Sequence, residues 1–348
     1  MEAEAPARTP EREDLYRRMA PAHLTPLWEV LRALITPEPR SPVQATLWRY
    51  GEVRPFLLEA GKVITAKEAE RRVLILENPG LPGQSRITTS LYAGLQLILP
   101  GEVAPAHRHA QSALRFIIEG SKGYTAVDGE RVYMSPGDFI ITPSWTWHDH
   151  GHEGDGPMVW LDGLDIPLVQ SLDASFIEGY GHDAHPVTRP AGDTLARYGA
   201  NMLPVDWKPS RPTSPIFSYP YARSREALEQ MRKTAEWDPC HGLKMRFVSP
   251  ATGDHAMPTM GTFMQLLPKG FTTAGYRSTD ATIFTAVEGR GRTRIGETVL
   301  DWGPRDVFVV PSWARHTHEA DEDAVLFSFS DRPVQEKLGL FRDDRGNR

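Results

Sequence analysis

An all-β chain with accessory helices, built as two copies of one antiparallel barrel or sandwich, is what this sequence of 348 residues predicts. Two observations carry that expectation. Short segments rich in Val, Ile, Phe and Tyr follow one another at residues 91–99, 114–119, 124–127, 139–142 and 158–161, separated by Gly, Pro or Asp-Gly turns such as Asp128-Gly129. The same pattern then returns. With Gly101 placed over Gly270, Glu119-Gly120 falls on Glu288-Gly289. After one residue is dropped from a hairpin, Asp138 falls on Asp306, Pro143-Ser144-Trp145 on Pro311-Ser312-Trp313, and His148 and His150 on His316 and His318.

In chain order, residues 1–12 mix Glu with Arg around no apolar core and read as a loosely packed tail rather than a signal peptide. Leu15, Met19, Leu24, Leu27, Val30 and Leu31 predict a helical region over 13–34, interrupted at Pro21 and Pro26, whose task is packing. Thr65-Ala66-Lys67-Glu68 has the form of a capping box and predicts a short helix before the apolar run 73–76. Residues 1–87 thus make an N-terminal helical and extended segment, and 88–165 the first β module. The texture changes at 166. Five prolines between Pro204 and Pro220 precede a helical stretch at 224–237, so 166–254 reads as a linker with its own helices. The second β module spans 255–335, and a tail occupies 336–348.

Composition narrows the function. No apolar run approaches the roughly 20 residues that span a bilayer, and a net charge of −6 without clustered Lys and Arg argues against nucleic acid. A soluble, cytoplasmic protein with a small-molecule partner is expected. Cys240 is alone, which excludes a disulfide framework or a Cys-rich metal site. A metal here must be held by His and carboxylates.

His107 and His109 are two apart, so on a strand they share one face and can chelate. A third imidazole from a later strand, His148, completes a three-nitrogen face that leaves coordination positions open for substrate. In the second copy Tyr276 and Ser278 stand opposite His107 and His109, so one metal per chain is expected, in the first module. His150 shares a strand face with His148 and could bond a substrate hydroxyl or carry a proton. Arg115, six residues past His109, faces inward if the register continues, and a buried Arg needs an anion such as a substrate carboxylate. Tyr92, Gly94 and Gln96 line one strand face, where Gly94 leaves room for a ring or for close packing. Gln111 could orient a ligand. Trp145, Trp147 and Trp313 read as core or rim aromatics, Asp138 and Asp306 as structural, and His182 and His185 receive no role.

Gly, five residues, His-x-His, and then a proline-containing turn before a third His resemble the two motifs of the cupin fold, and the pair resembles a bicupin of two double-stranded β-helix (jelly-roll) barrels. Residues 91–96, 107–116, 143–150 and 276–282 resemble gentisate 1,2-dioxygenase and its salicylate and 1-hydroxy-2-naphthoate dioxygenase relatives. The resemblance implies an Fe(II) enzyme that uses O2 to open an aromatic ring between its carboxylate-bearing carbon and the neighbouring hydroxyl-bearing carbon. Gentisate would yield maleylpyruvate. It also implies a homotetramer, a substrate-contacting His150 partnered by Asp162, and a substrate-binding role for Arg71, with the adjacent Arg72 as the alternative. Ala113 and Leu114 stand where many cupins carry a Glu ligand, an absence that this family shares. Open at this point are salicylate, a substituted salicylate or 1-hydroxy-2-naphthoate as substrate, the identity of the metal, and, from another class, a non-catalytic ligand-binding bicupin.

Overall fold

The computed structural model describes residues 8–346; residues 1–7 and 347–348 of the expected tails lie outside the described residues. The stretch up to Arg40 is a unit of its own. Helix α1 (Pro10–Met19) begins inside the expected tail, because the Thr9 hydroxyl accepts the Arg12 amide and Pro10 supplies a helical φ. Helix α2 (Leu27–Leu34) follows the interrupting prolines. Neither helix has a buried residue. Leu27, Trp28, Leu31 and Leu34 are exposed, so the packing expected of this region is not what these side chains do.

Ser41–Arg348 is the second unit. It opens with β1 (Thr46–Trp48), α3 (Tyr50–Val63) and β2 (Val73–Ile75). Helix α3 escapes the sequence reading because Pro55 lies inside it and Gly51 and Gly61 interrupt its pattern. The capping box does close: the Thr65 amide donates to Glu68 Oε2 at 3.0 Å and the Glu68 amide to Thr65 Oγ1 at 3.1 Å. It opens only a turn, which ends where Glu70 enters the left-handed region at φ 54°.

The first module holds β3 (Tyr92–Ile98), β4 (Val103–His109), β5 (Ala113–Glu119), β6 (Gly123–Val127), β7 (Glu130–Met134), β8 (Phe139–Thr142), β9 (His148–His152) and β10 (Met158–Leu164). The connecting stretch supplies α4 (Ile166–Ser171), β11 (Ile177–Gly179), α5 (Asp193–Tyr198), β12 (Ser218–Tyr219), α6 (Tyr221–Thr234) and β13 (Leu243–Arg246). The second module holds β14 (Gly261–Leu267), β15 (Arg277–Ser278), β16 (Thr282–Glu288), β17 (Gly291–Ile295), β18 (Thr298–Trp302), β19 (Val307–Val310), β20 (His316–Ala320) and β21 (Ala324–Ser330), with α7 (Arg332–Lys337) and β22 (Asp343–Asp344) after it.

Sheets β12-β8-β5-β10-β3-β2 and β11-β4-β9-β6-β7 enclose the first barrel, and β1-β19-β16-β21-β14-β13 with β18-β17-β20 enclose the second. Alternation along the strands divides the work. In β5, Leu114 and Phe116 face outward into a core shared with Phe327 and Phe329 of the other barrel, while Arg115 and Ile117 point inward. Phe116 stacks on Phe327 at 4.2 Å between ring centroids.

The repeat reaches further back than the compared β segments, and its leading pieces are exchanged. Strand β1 precedes the first module but pairs with β19 of the second, whereas β12 precedes the second and pairs with β8 of the first. The following helices behave alike. The Tyr50 amide donates to Asp306 Oδ1 and the Tyr221 amide to Asp138 Oδ1, both at 2.8 Å. Each helix then grips its own module: Tyr50 and Arg54 donate to Glu119, and Tyr221 and Arg225 to Glu288. Arg54 holds the Glu119 carboxyl below the usual glutamate range. Stability drawn from this contact is therefore present above that range and lost as pH falls through the lowered value. Glu119→Gln is expected to reduce the free energy of urea unfolding at pH 7 by about 1–3 kcal/mol. The difference from the parent should fade below about pH 4.

Candidate metal centre

The metal face forms because β4 and β9 pair with His107 directly opposite His148, after a bulge between Ala104 and His107. The ring centroids of His107, His109 and His148 lie 5.3, 4.6 and 4.9 Å apart pairwise, and one ring nitrogen from each falls within 4.8 Å of the others. Their orientation is set from behind. His109 Nδ1 bonds the Gln111 carbonyl oxygen at 2.8 Å and His148 Nδ1 the Thr146 carbonyl oxygen at 2.9 Å, so both Nε2 atoms face inward. Gln111 thus steers His109 through its main chain, while its side-chain amide goes to Ser175.

Burial, reinforced by Arg71, His109 and Arg115, lowers His107 to about 2; burial takes His109 to about 4 and His148 well below its ordinary value. The three rings are neutral, with lone pairs available. His148 Nε2 is buried without a hydrogen-bond partner, which a cation at the common centre would satisfy. The donor set fits a borderline divalent ion such as ferrous iron.

Beside this face the barrel interior is cationic. Arg115, 3% exposed, donates to Thr142 Oγ1, approaches His150 Nε2 at 3.1 Å and lies 3.6 Å from Asp162 Oδ1. Asp162 also accepts from Trp160 Nε1 at 3.0 Å, so it reaches His150 through Arg115 and not directly as expected. Burial raises Asp162 to about 6 while Arg115 pulls it down. Arg71 donates to the Pro105 carbonyl oxygen and its Nη2 lies 3.1 Å from His107 Nε2. Of the two neighbours, Arg71 reaches the imidazole face, whereas Arg72 pairs with Glu102 at 2.5 Å. Burial lowers Arg71 to about 9 and Arg115 to about 10, so both stay charged at neutral pH. Both guanidinium groups share the Asp162 carboxylate as a neighbouring charge.

Gly94 pairs with Asp162 across β3 and β10, and a Cβ there would meet Val73 Cγ1 at 2.4 Å and the Tyr92 hydroxyl at 3.0 Å. Close packing, not vacant space, is what this glycine permits. Burial raises the Tyr92 phenol. Gln96 is buried one inward position deeper on β3. A cavity of about 560 Å³ opens beside His107 and also touches His182, a residue without an assigned role. His185 anchors β9, its Nδ1 lying 2.6 Å from Asp149 Oδ2. Thr125 and Thr142 also escaped the sequence reading. Thr125 Oγ1 lies 3.0 Å from His150 Nδ1, and the signal that could have found it is its position opposite His150 in the β6–β9 register.

The cupin domain model matches residues 94–164. The chain is 61% identical to gentisate 1,2 dioxygenase 1 of Aquipseudomonas alcaligenes over 98% of this chain and 99% of that protein. It is 39% identical to a gentisate 1,2-dioxygenase of Streptomyces sp over 96% and 95% of the two lengths. The crystal structure of salicylate 1,2-dioxygenase from Pseudoaminobacter salicylatoxidans with gentisate superposes with a TM-score of 0.92 at 33% identity, covering 100% of this chain and 97% of that one.

Metal-stripped protein is expected to take up one Fe(II) per chain under anaerobic conditions, measured by elemental analysis after desalting. His148→Ala should weaken uptake by more than the roughly 10–100-fold that loss of an outer hydrogen-bond partner costs.

Proposed function

The chain belongs to the gentisate 1,2-dioxygenase family, and from that premise we propose that it cleaves gentisate with O2 to maleylpyruvate. Both oxygen atoms enter the product, and the bond broken joins the carboxylate-bearing carbon to the adjacent hydroxyl-bearing carbon. The observation that carries this reading is the three-nitrogen face with two arginines beside it and no carboxylate in the cluster. We take Fe(II), one per chain, as the ion held by His107, His109 and His148. When bound, it supplies a redox-active Lewis acid for dioxygen chemistry.

The rest falls to the protein. Neutral imidazoles add no negative charge, so an anionic aromatic acid is favoured at the centre. Arg71, whose N–H now points at His107 Nε2, would turn to the substrate carboxylate together with Arg115 when His107 serves as a ligand. As Arg115 turns to the carboxylate, His150 Nε2 becomes free to accept the proton of a ring hydroxyl. Its Nδ1–H meanwhile donates to Thr125 Oγ1, which fixes the tautomer. Asp162 keeps Arg115 charged and aimed. Tyr92 folded over Gly94, with Gln96 below, bounds the space for the ring.

A second reading, salicylate as preferred substrate, rests on the salicylate 1,2-dioxygenase structure. We also place the protein in the cytoplasm as a homotetramer; the apolar stripe of α2 supports self-association. Oxygen uptake with gentisate is expected to exceed that with salicylate, and faster turnover of salicylate would reverse the assignment. Arg115→Met should lower kcat/KM for gentisate by about 10–100-fold, as for loss of a charge-assisted hydrogen bond worth ~1.5–3 kcal/mol.

A further inference from the structure

The second barrel lacks the imidazole pair, yet its interior is not simply filled with apolar side chains. Lys244 on β13 stands opposite Gln265 on β14, as Val73 stands opposite Gln96 in the first module. Its ammonium lies 4.9 Å from the Phe263 ring and 5.6 Å from the Phe284 ring, so the side chain points into the barrel. Ser328 pairs with both phenylalanines and sits between them, where the first module has Asp162 between Gly94 and Arg115. The cation has thus moved from a central strand to the edge strand.

The polar groups around this lysine are only partly satisfied: Gln265 Nε2 donates to the His241 carbonyl oxygen and Asp280 Oδ2 accepts from Ser330. Among the described residues no hydrogen bond or ion pair engages the Lys244 ammonium, which lies against the two rings. Ser328 Oγ, Gln265 Oε1 and Asp280 Oδ1 are buried and have no hydrogen-bond partner, at 0%, 1% and 6% residue exposure. Gln265 Oε1 and Asp280 Oδ1 can only accept, whereas the Lys244 ammonium and the Ser328 hydroxyl are donors that call for an acceptor.

We propose that the second barrel binds a small organic monocarboxylate, its carboxylate on the Lys244 ammonium, its body between Phe263 and Phe284, and any hydroxyl on Ser328 or Gln265. A single ammonium with the Asp280 carboxyl nearby disfavours a dianion or a phosphate. Burial lowers the amine to about 8, with Asp280 opposing that change, so it is protonated at neutral pH.

The test titrates the iron-loaded protein with trifluoroacetate and follows its ¹⁹F line width, in the parent, in Lys244→Met and in Arg115→Met. Saturable binding is expected in the parent, with an apparent Kd raised at least tenfold in Lys244→Met, unchanged in Arg115→Met, and with gentisate oxidation intact in Lys244→Met. Absence of saturation, an equal Kd in Lys244→Met, or loss confined to Arg115→Met would overturn the proposal. Should Lys244→Met fail to fold, lysine labelled with ¹³C at Cε in the parent provides the second reading. Trifluoroacetate must then shift the resonance assigned to Lys244 through Lys244→Arg, and an unmoved resonance overturns the site.

Discussion

A guanidinium sealed inside a β-barrel must be surrounded by acceptors, and the chemistry of the first module is organised around how Arg115 meets that demand. Thr142, His150 and Asp162 encircle it, yet its Nε is left without a hydrogen bond and Asp162 stays at 3.6 Å. Under the proposed function, this incomplete satisfaction leaves the cation able to take a substrate carboxylate. Its position is fixed from the opposite side of the sheet. Leu114 and Phe116 are locked into the core between the barrels, and a slip of one residue in β5 would turn the guanidinium out and a phenyl ring in.

This dependence explains what the second barrel does for the first. It provides Phe327 against Phe116, an edge at β19 for β1, and the Asp306 carboxylate that receives the start of α3. The first barrel returns the same services through β8 and Asp138. With β1 and β12 exchanged, neither barrel closes its large sheet without chain from the other repeat, which joins the two modules into one cooperative unit.

The two copies agree on surfaces that hold the backbone and differ on the surface that holds ligands. Gly101 and Gly270 take φ values of 75° and 76°, and Trp145 and Trp313 take 57° and 62°. Arg108 lies over Trp145 and Arg277 over Trp313. Thr125 meets His150 as Thr293 meets His318. Inside, Arg115 and Asp162 give way to Phe284 and Ser328, and Val73 to Lys244. One inward face adds the His107 and His109 imidazoles and two arginines; the other keeps His316 and His318 and adds an ammonium beside two phenyl rings.

Much of this was legible in the linear chain, because period-two alternation and turn chemistry are local. Five strand segments of the first module, the return of their pattern in the second, the inward-facing Arg115 and the pairing of His107 with His109 follow from spacing, and so does the loss of that pair in the second copy. What spacing could not supply was partnership across the sheets. That Arg71 and not Arg72 enters the site depends on Glu102 claiming Arg72. That Asp162 serves Arg115 and not His150 depends on the register of β5 against β10. Helix α3 was hidden by Pro55 and is held by Asp306 and Glu119, 256 and 69 residues away from Tyr50 in sequence. Local chemistry therefore determined which residues could carry a metal and an anion, and long-range packing decided which of them meet, since hydrogen bonds between distant strands leave no periodic trace in the sequence that makes them.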